Sequence, residues 1–203
     1  MISAAGETLV NMFPCGRYRE LIAEAVEPFS YMKVPYYRKD GYPNGIYRVG
    51  PLARLNLAAA CGTPCADEAL AEFRHQHPRP VLSSFHYHSA RLIEIVFAVE
   101  RMQELLSDPT ILDPFVRARA RPNRREGIGI AEAPRGTLIH HYKIDDNGLI
   151  NWANLIIATG HNNLAMNRGV LQAAQRFVDG NNLNEGALNR VEAVIRCFDP
   201  CLS

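Results

Sequence analysis

Apolar positions recur along the chain at two periods, and the change of period marks its elements. Within residues 1 to 30, Leu21, Ile22, Ala25 and Val26 fall at helical spacing before Pro28, which predicts a short amphipathic helix. From Tyr31 to Leu55 the pattern gives way to Tyr, Val and Ile among Gly and Pro, which reads as short strands and turns. Thr63 followed by Pro64, with Asp67 and Glu68 behind them, marks a helix start, and that helix should run to about His77. Ser83 and Ser84 open the longest helix. In it Phe85, Leu92, Val96, Val99, Met102 and Leu106 form one apolar stripe, long enough to cross a domain, until Asp108-Pro109 ends it.

The clearest local geometry follows. Thr137 to Ile144 and Leu149 to Ile157 are β-type runs joined by Asp145-Asp146-Asn147-Gly148, and Asn-Gly is a strong hairpin signal. With Asn147 and Gly148 as the two loop residues, Asp146 should face Leu149, Lys143 should face Trp152, and Gly136 should face Thr159. Arg135 and Thr159 would then meet at the open end. Two helices close the chain. One spans about Asn162 to Val178 with Leu164, Leu171, Ala174 and Phe177 inward; the other spans about Glu185 to Cys197 with Leu188, Val191 and Ile195 inward. Asp199-Pro200 must end the second, which leaves Cys201 just past a helix end. The fold class is α+β, mainly α: a helical core with one or two small β-hairpins.

Composition narrows the reading. The chain has 203 residues, 47% hydrophobic and 21% charged, which excludes a disordered chain. No run approaches the roughly 18 to 20 apolar residues of a membrane helix, and the first ten residues lack a signal-peptide pattern, so a cytoplasmic protein without membrane contact is expected. Of 22 basic residues only Lys33, Lys39 and Lys143 are lysine, and arginine is the better group for fixed, forked hydrogen bonds. Five cysteines cannot all pair with one another, so thiols or metal ligands are expected.

Several constellations have plain structural readings. Cys197 and Cys201 are either half of a metal site or two unrelated thiols. Cys61 and Cys65 straddle a helix start, which can acidify a thiol, but no partner is evident. Histidines two apart on a helix, as in His75/His77 and His86/His88, point to different sides, and the adjacent His140 and His141 point to opposite faces of a strand; neither arrangement favours a metal site. Five arginines between Arg117 and Arg125 read as a solvated loop or subunit contact, because net charge is +1 and no aromatics interleave them; no nucleic-acid partner is expected. Ala133-Pro134-Arg135-Gly136 and Ala158-Thr159-Gly160 carry more. The hairpin brings both to one end, where Arg135 offers a rigid fork of donors.

Three segments then match a known family in order: Gly45-Ile46-Tyr47-Arg48-Val49-Gly50-Pro51-Leu52-Ala53-Arg54-Leu55-Asn56, Glu132-Ala133-Pro134-Arg135-Gly136, and Asp199-Pro200-Cys201-Leu202-Ser203. They resemble the C-terminal portion of the large, catalytic subunit of nickel-iron hydrogenases, most nearly the cytoplasmic NAD-linked bidirectional group. The resemblance implies reversible hydrogen oxidation at a nickel-iron centre whose iron bears cyanide and carbon monoxide. It places Cys201 as a terminal nickel ligand and Arg135 over the iron as the catalytic side chain. Thr159 would donate to a cyanide from a neighbouring strand end, with Pro134 packed beside it. Implied partners are a small subunit carrying iron-sulfur clusters, the N-terminal half of the large subunit, and a diaphorase module that passes electrons to NAD(P) or another cytoplasmic carrier. The family's N-terminal Cys-x-x-Cys pair and its proton-relaying acid have no counterpart here. The chain also stops one residue before the second cysteine of its own C-terminal pair. Residues 1–203 are therefore expected to form one incomplete domain, with the centre empty and the isolated chain inactive. The alternative left open is a non-catalytic scaffold or assembly protein that keeps the fold without the metal.

Overall fold

A computed structural model describes residues 1–119 and 122–201; Ala120, Arg121, Leu202 and Ser203 lie outside the described residues. One arginine of the Arg117 to Arg125 run and the last two residues of the Asp199 to Ser203 motif are thereby left aside. After a 3-10 turn at Cys15–Glu20, strands β1 (Ile22–Ala25) and β2 (Val34–Tyr37) form an antiparallel pair, with Ile22 opposite Tyr37. This replaces the short helix expected around Leu21 to Val26. Four apolar residues make barely one turn of helix, which is costly to nucleate alone, whereas the strand at Val34 satisfies their backbone directly.

Helices α1 (Pro51–Leu57), α2 (Pro64–Gln76) and α3 (His86–Ser107) follow. The first lies inside the stretch read as strands and turns; Gly50 at φ 97° and Pro51 at the first helical position set it off. The start of α2 falls where Thr63 and Pro64 place it, but Thr63 is not the side-chain cap. Its hydroxyl donates to Glu100 of α3 at 2.6 Å, and that carboxylate accepts the Cys65 and Ala66 amides at 2.9 and 3.0 Å. A carboxylate from a neighbouring helix thus satisfies the open amides and the positive end of α2.

The long stripe on α3 turns out to be its outer face. Tyr87, Ala90 and Ile93 are buried against α1 and α2, while Leu92 is 64% and Leu106 72% exposed. Ala90, fully covered, has no side chain beyond Cβ and lets neighbours approach there, while Tyr87 and Ile93 on either side of it fill the space between the helices.

Strands β3 (Glu126–Ala133), β4 (Gly136–Ile144) and β5 (Ile150–Ile156) form an antiparallel sheet in that order. β3 is an edge strand whose side chains are mostly exposed, and Gly127 and Gly129 leave only Ile128 and Ile130 to signal a strand. Between β4 and β5 the expected register holds from Ile139–Ile156 to Lys143–Trp152, then shifts at Lys143/Ile144. The Asp145 amide donates to the Leu149 carbonyl at 2.9 Å, so Asp146 lies in the loop and the expected Asp146–Leu149 pair is absent. Gly136 and Thr159 are not a strand pair either, because β5 stops at Ile156 and α4 (Ala158–Phe177) begins two residues later.

Helix α5 (Glu185–Phe198) ends the described fold. Its inner face is Ala187, Val194, Cys197 and Phe198, and Leu188 points out; on α4, Ala173 is buried while Leu171 and Phe177 are exposed. The main core joins Leu52, Leu55, Leu70, Phe73 and Tyr87 to Ala173, Val194 and Phe198, so all five helices share it. A smaller cluster of Tyr18, Ile139 and Ile156 underlies the sheet. Among the described residues no helix is long and apolar enough to cross a membrane.

Candidate functional site

Pro134 and Arg135 are the two loop residues of the β3–β4 hairpin, closed by the Ala133–Gly136 pair. Arg135 reaches out of this turn to the end of α5. Its Nε donates to the Asp199 carbonyl at 2.7 Å and lies 3.2 Å from the Asp199 carboxylate. Asp199 caps α5 in the left-handed conformation, φ 49°, ψ 56°, which turns the chain sharply before Pro200. The next residue, Cys201, is exposed, and its amide donates to Thr159 Oγ1 at 3.0 Å. Thr159 is buried in the first turn of α4, not on a strand end. Arg135 and Thr159 are thus joined through the Asp199–Cys201 segment. Arg91 of α3 braces that segment, donating to the Cys197 carbonyl at 3.1 Å and lying 3.9 Å from the Asp199 carboxylate.

The Gly45 to Asn56 motif forms the bed of the turn. A Cβ on Gly50 would lie 2.7 Å from the Arg135 carbonyl oxygen, and one on Gly136 would lie 2.3 Å from Val49 Cγ2, so the two backbones touch only because both residues are glycine. Val49 is fixed in turn. Its amide donates to Asn162 Oδ1 at 2.9 Å and its carbonyl accepts the Tyr87 hydroxyl at 2.9 Å. Burial pushes that phenol up to about 12, so it stays a donor. Behind it the Tyr47 hydroxyl meets His161 Nδ1, and burial lowers the His161 imidazole to about 4. A cavity of about 520 Å³ opens beside the turn, lined by Arg54, Arg91, Glu94, Pro134 and Asp199 among others.

The remaining candidates fall into structural roles. Cys197 is fully buried, donates to the Ala193 carbonyl at 3.1 Å, and is raised by desolvation, which makes it a core thiol. Cys65 is raised chiefly by its hydrogen bond to Glu100 and Cys61 by burial, so the helix start does not acidify either. His141 is buried between the Tyr18 hydroxyl at 3.2 Å and Glu126 at 2.7 Å. His77 and His86 do approach, with ring centroids 4.2 Å apart. Among the described residues no group of three or more His, Cys, Asp or Glu is arranged to hold a metal ion. The sequence gives Arg54 and Arg91 no role in a site and Asp199 only the end of α5; Arg54 and Asp199 sit inside the matched motifs, but Arg91 carries no local signal.

A family model described as nickel-dependent hydrogenase matches residues 7–203. The F420-non-reducing vhu hydrogenase of Methanococcus voltae has one subunit that is 46% identical over 163 residues, covering 80% of this chain and 39% of that protein. The NAD-reducing hydrogenase HoxS subunit beta of Cupriavidus necator is 43% identical over 199 residues, covering 96% of this chain and 41% of its own length. Among solved structures, an NAD+-reducing [NiFe]-hydrogenase in the H2-reduced state superposes with a TM-score of 0.87 at 43% identity, covering 96% of this chain and 43% of that one. A [NiFeSe] hydrogenase from Desulfovibrio vulgaris Hildenborough gives 0.57 at 26% identity, with 86% and 37% covered. The chain spans about two fifths of the length of these relatives, the first two of which are themselves named as subunits.

Proposed function

Because the chain belongs to the nickel-dependent hydrogenase family, we propose that it is the C-terminal part of a hydrogenase catalytic subunit and forms one wall of its nickel-iron site. The observation that carries this reading is the meeting of Arg135, Asp199, Cys201 and Thr159, drawn from three separate segments of the chain. Cys201 is the thiol offered to nickel. Thr159 Oγ1 accepts the Cys201 amide and keeps its own proton to donate, in keeping with a hydrogen bond to a cyanide on iron. Pro134 and Arg135 stand on the same side.

The donor set is partial. One exposed thiol, with no group of three ligating side chains among the described residues, does not by itself hold a metal ion. What this chain contributes is a fixed positive charge at Arg135, a hydroxyl donor at Thr159, and a backbone that sets where Cys201 lies. The remaining thiolates, the iron-sulfur subunit and a diaphorase passing electrons to NAD(P) would come from polypeptide beyond residues 1–203. NAD is the acceptor favoured here because two of the similar proteins are NAD-reducing. A cytoplasmic location accords with it.

The test is elemental analysis for nickel and iron with hydrogen-dependent dye reduction, on residues 1–203 alone and on the protein purified from its host with its accompanying subunits. The assembled protein should hold both metals and turn over, and the isolated chain neither. Metal and turnover in the isolated chain would overturn the partial-site reading. Their absence from the assembly would favour a scaffold.

A further inference from the structure

The turn that carries Arg135 departs from the commonest two-residue hairpin turns. Two-residue hairpins favour turns with positive φ at the first loop residue, whose twist matches the strands. Here the first loop residue is Pro134, locked near φ −65°, and Arg135 also has negative φ. Gly136, at φ 139°, follows these two residues and lets β3 and β4 pair at Ala133–Gly136, while a group outside the hairpin fixes the tilt of the peptide between Pro134 and Arg135.

Arg54 on α1 does so with every donor it has. Its Nε and Nη2 grip Glu94 of α3 at 2.6 and 2.7 Å; its Nη1 bonds Glu132 at 2.8 Å and the Ala133 carbonyl at 2.9 Å; and Nη2 also bonds the Pro134 carbonyl at 2.8 Å. Those five contacts match the five N–H groups of a guanidinium. The forked, planar group is anchored on α3 by one carboxylate and holds the turn through two backbone carbonyls, a geometry that a lysine ammonium cannot span. The Pro134 carbonyl is in the peptide unit leading directly into Arg135. Whatever tilts that peptide swings the Arg135 side chain relative to Asp199.

We propose that Arg54 is the positioning residue for Arg135: by clamping the Ala133 and Pro134 carbonyls to α3, it sets the direction in which Arg135 meets Asp199. The functional weight of this rests on the reading of Arg135 given above, but the coupling itself is a property of the chain. Arg54 directs its five N–H groups to Glu94, Glu132 and the two carbonyls, and so acts through the turn.

The experiment is nitrogen-15 arginine NMR on the full chain with its accompanying subunits, following solvent exchange of the Arg135 Nε–H. That signal is assigned by its loss in Arg135→Lys, and the Arg17 Nε–H, paired with Glu20 on the surface, is the internal control. In Arg54→Lys the Arg135 Nε–H should exchange faster by roughly tenfold or more, the size of one charge-assisted hydrogen bond lost, with Arg17 unchanged. A purely structural Arg54 would lower stability yet leave the Arg135 exchange ratio where it was, and that result overturns the proposal. If Arg54→Lys does not fold, Glu94→Gln keeps the shape and weakens the anchor. It should speed the same exchange severalfold, and no change there also overturns the proposal. Turnover of Arg135→Lys in the assembled protein separates the two levels. Unaltered turnover would refute the role assigned to Arg135 in the reaction and leave the Arg54 coupling, read by exchange, intact.

Discussion

Substituting Gly50 by alanine probes the contact on which the candidate site is built. Gly50 sits at φ 97°, ψ −165°, a region open essentially to glycine alone, and forcing alanine into it costs about 1–3 kcal/mol. The added Cβ would also stand 2.7 Å from the Arg135 carbonyl oxygen and 3.3 Å from its carbon, well inside contact distance. Relief requires the Arg135 turn to back away, an overpacking cost of about 1–3 kcal/mol. The sum is about 4 kcal/mol, a large share of a domain's typical 5–15 kcal/mol. Gly62→Ala is the control: at φ 95° it meets nothing within 4 Å, so it carries backbone strain without the clash. In urea denaturation, with a slope of about 2 kcal/mol/M, Gly50→Ala should bring the midpoint down by about 2 M and Gly62→Ala by about half of that. Equal shifts for the two variants would refute the claim that Gly50 is needed for close approach to the Arg135 turn.

Two pH effects follow from buried or paired groups. The folded His161 titrates near 4 against 6.5 for an unperturbed imidazole, so on acidification the unfolded chain takes up the proton first. Stability should therefore fall by about 3 kcal/mol between pH 6.5 and 4, and His161→Gln should flatten that slope in thermal melts; matching slopes would count against it. Glu100 is held down to about 2, first by the Thr63 hydroxyl and then by the amides of α2, against 4.5 when free. Its contribution is complete above about pH 4.5 and disappears as the pH drops toward 2. The difference in melting temperature between the natural chain and Glu100→Ala should accordingly shrink over that range, and a constant difference would exclude the cap.

Much of the candidate site was legible because it rests on local rules. Asn147-Gly148 set a register that holds over five residue pairs, and proline after Asp199 ended α5 just before Cys201. Motif resemblance then supplied Arg135, Thr159 and Cys201 together. Arg91 and Glu94 were invisible, since each acts on a segment at least 40 residues away through a geometry that no local pattern encodes. Arg54 lay inside a motif without any indication that it would bind the turn.

The faces of the helices mark the same boundary. Periodicity located α3, α4 and α5 to within a few residues at most ends, because a 3.6-residue repeat is a property of the chain itself. It did not say which stripe would be inside. Leu92, Val99, Met102 and Leu106 form the more regular apolar row on α3, yet Tyr87, Ala90 and Ile93 are the ones covered. Burial depends on which side neighbouring elements can approach closely, and that is fixed by the sizes of residues far apart in sequence. The sequence by itself therefore determined helices α2 to α5, the β4–β5 register over five pairs, and the motif residues at the tip of the turn. Only the tertiary structure decided which faces pack, that Glu100 caps α2, and that Arg54 holds Arg135 against Asp199.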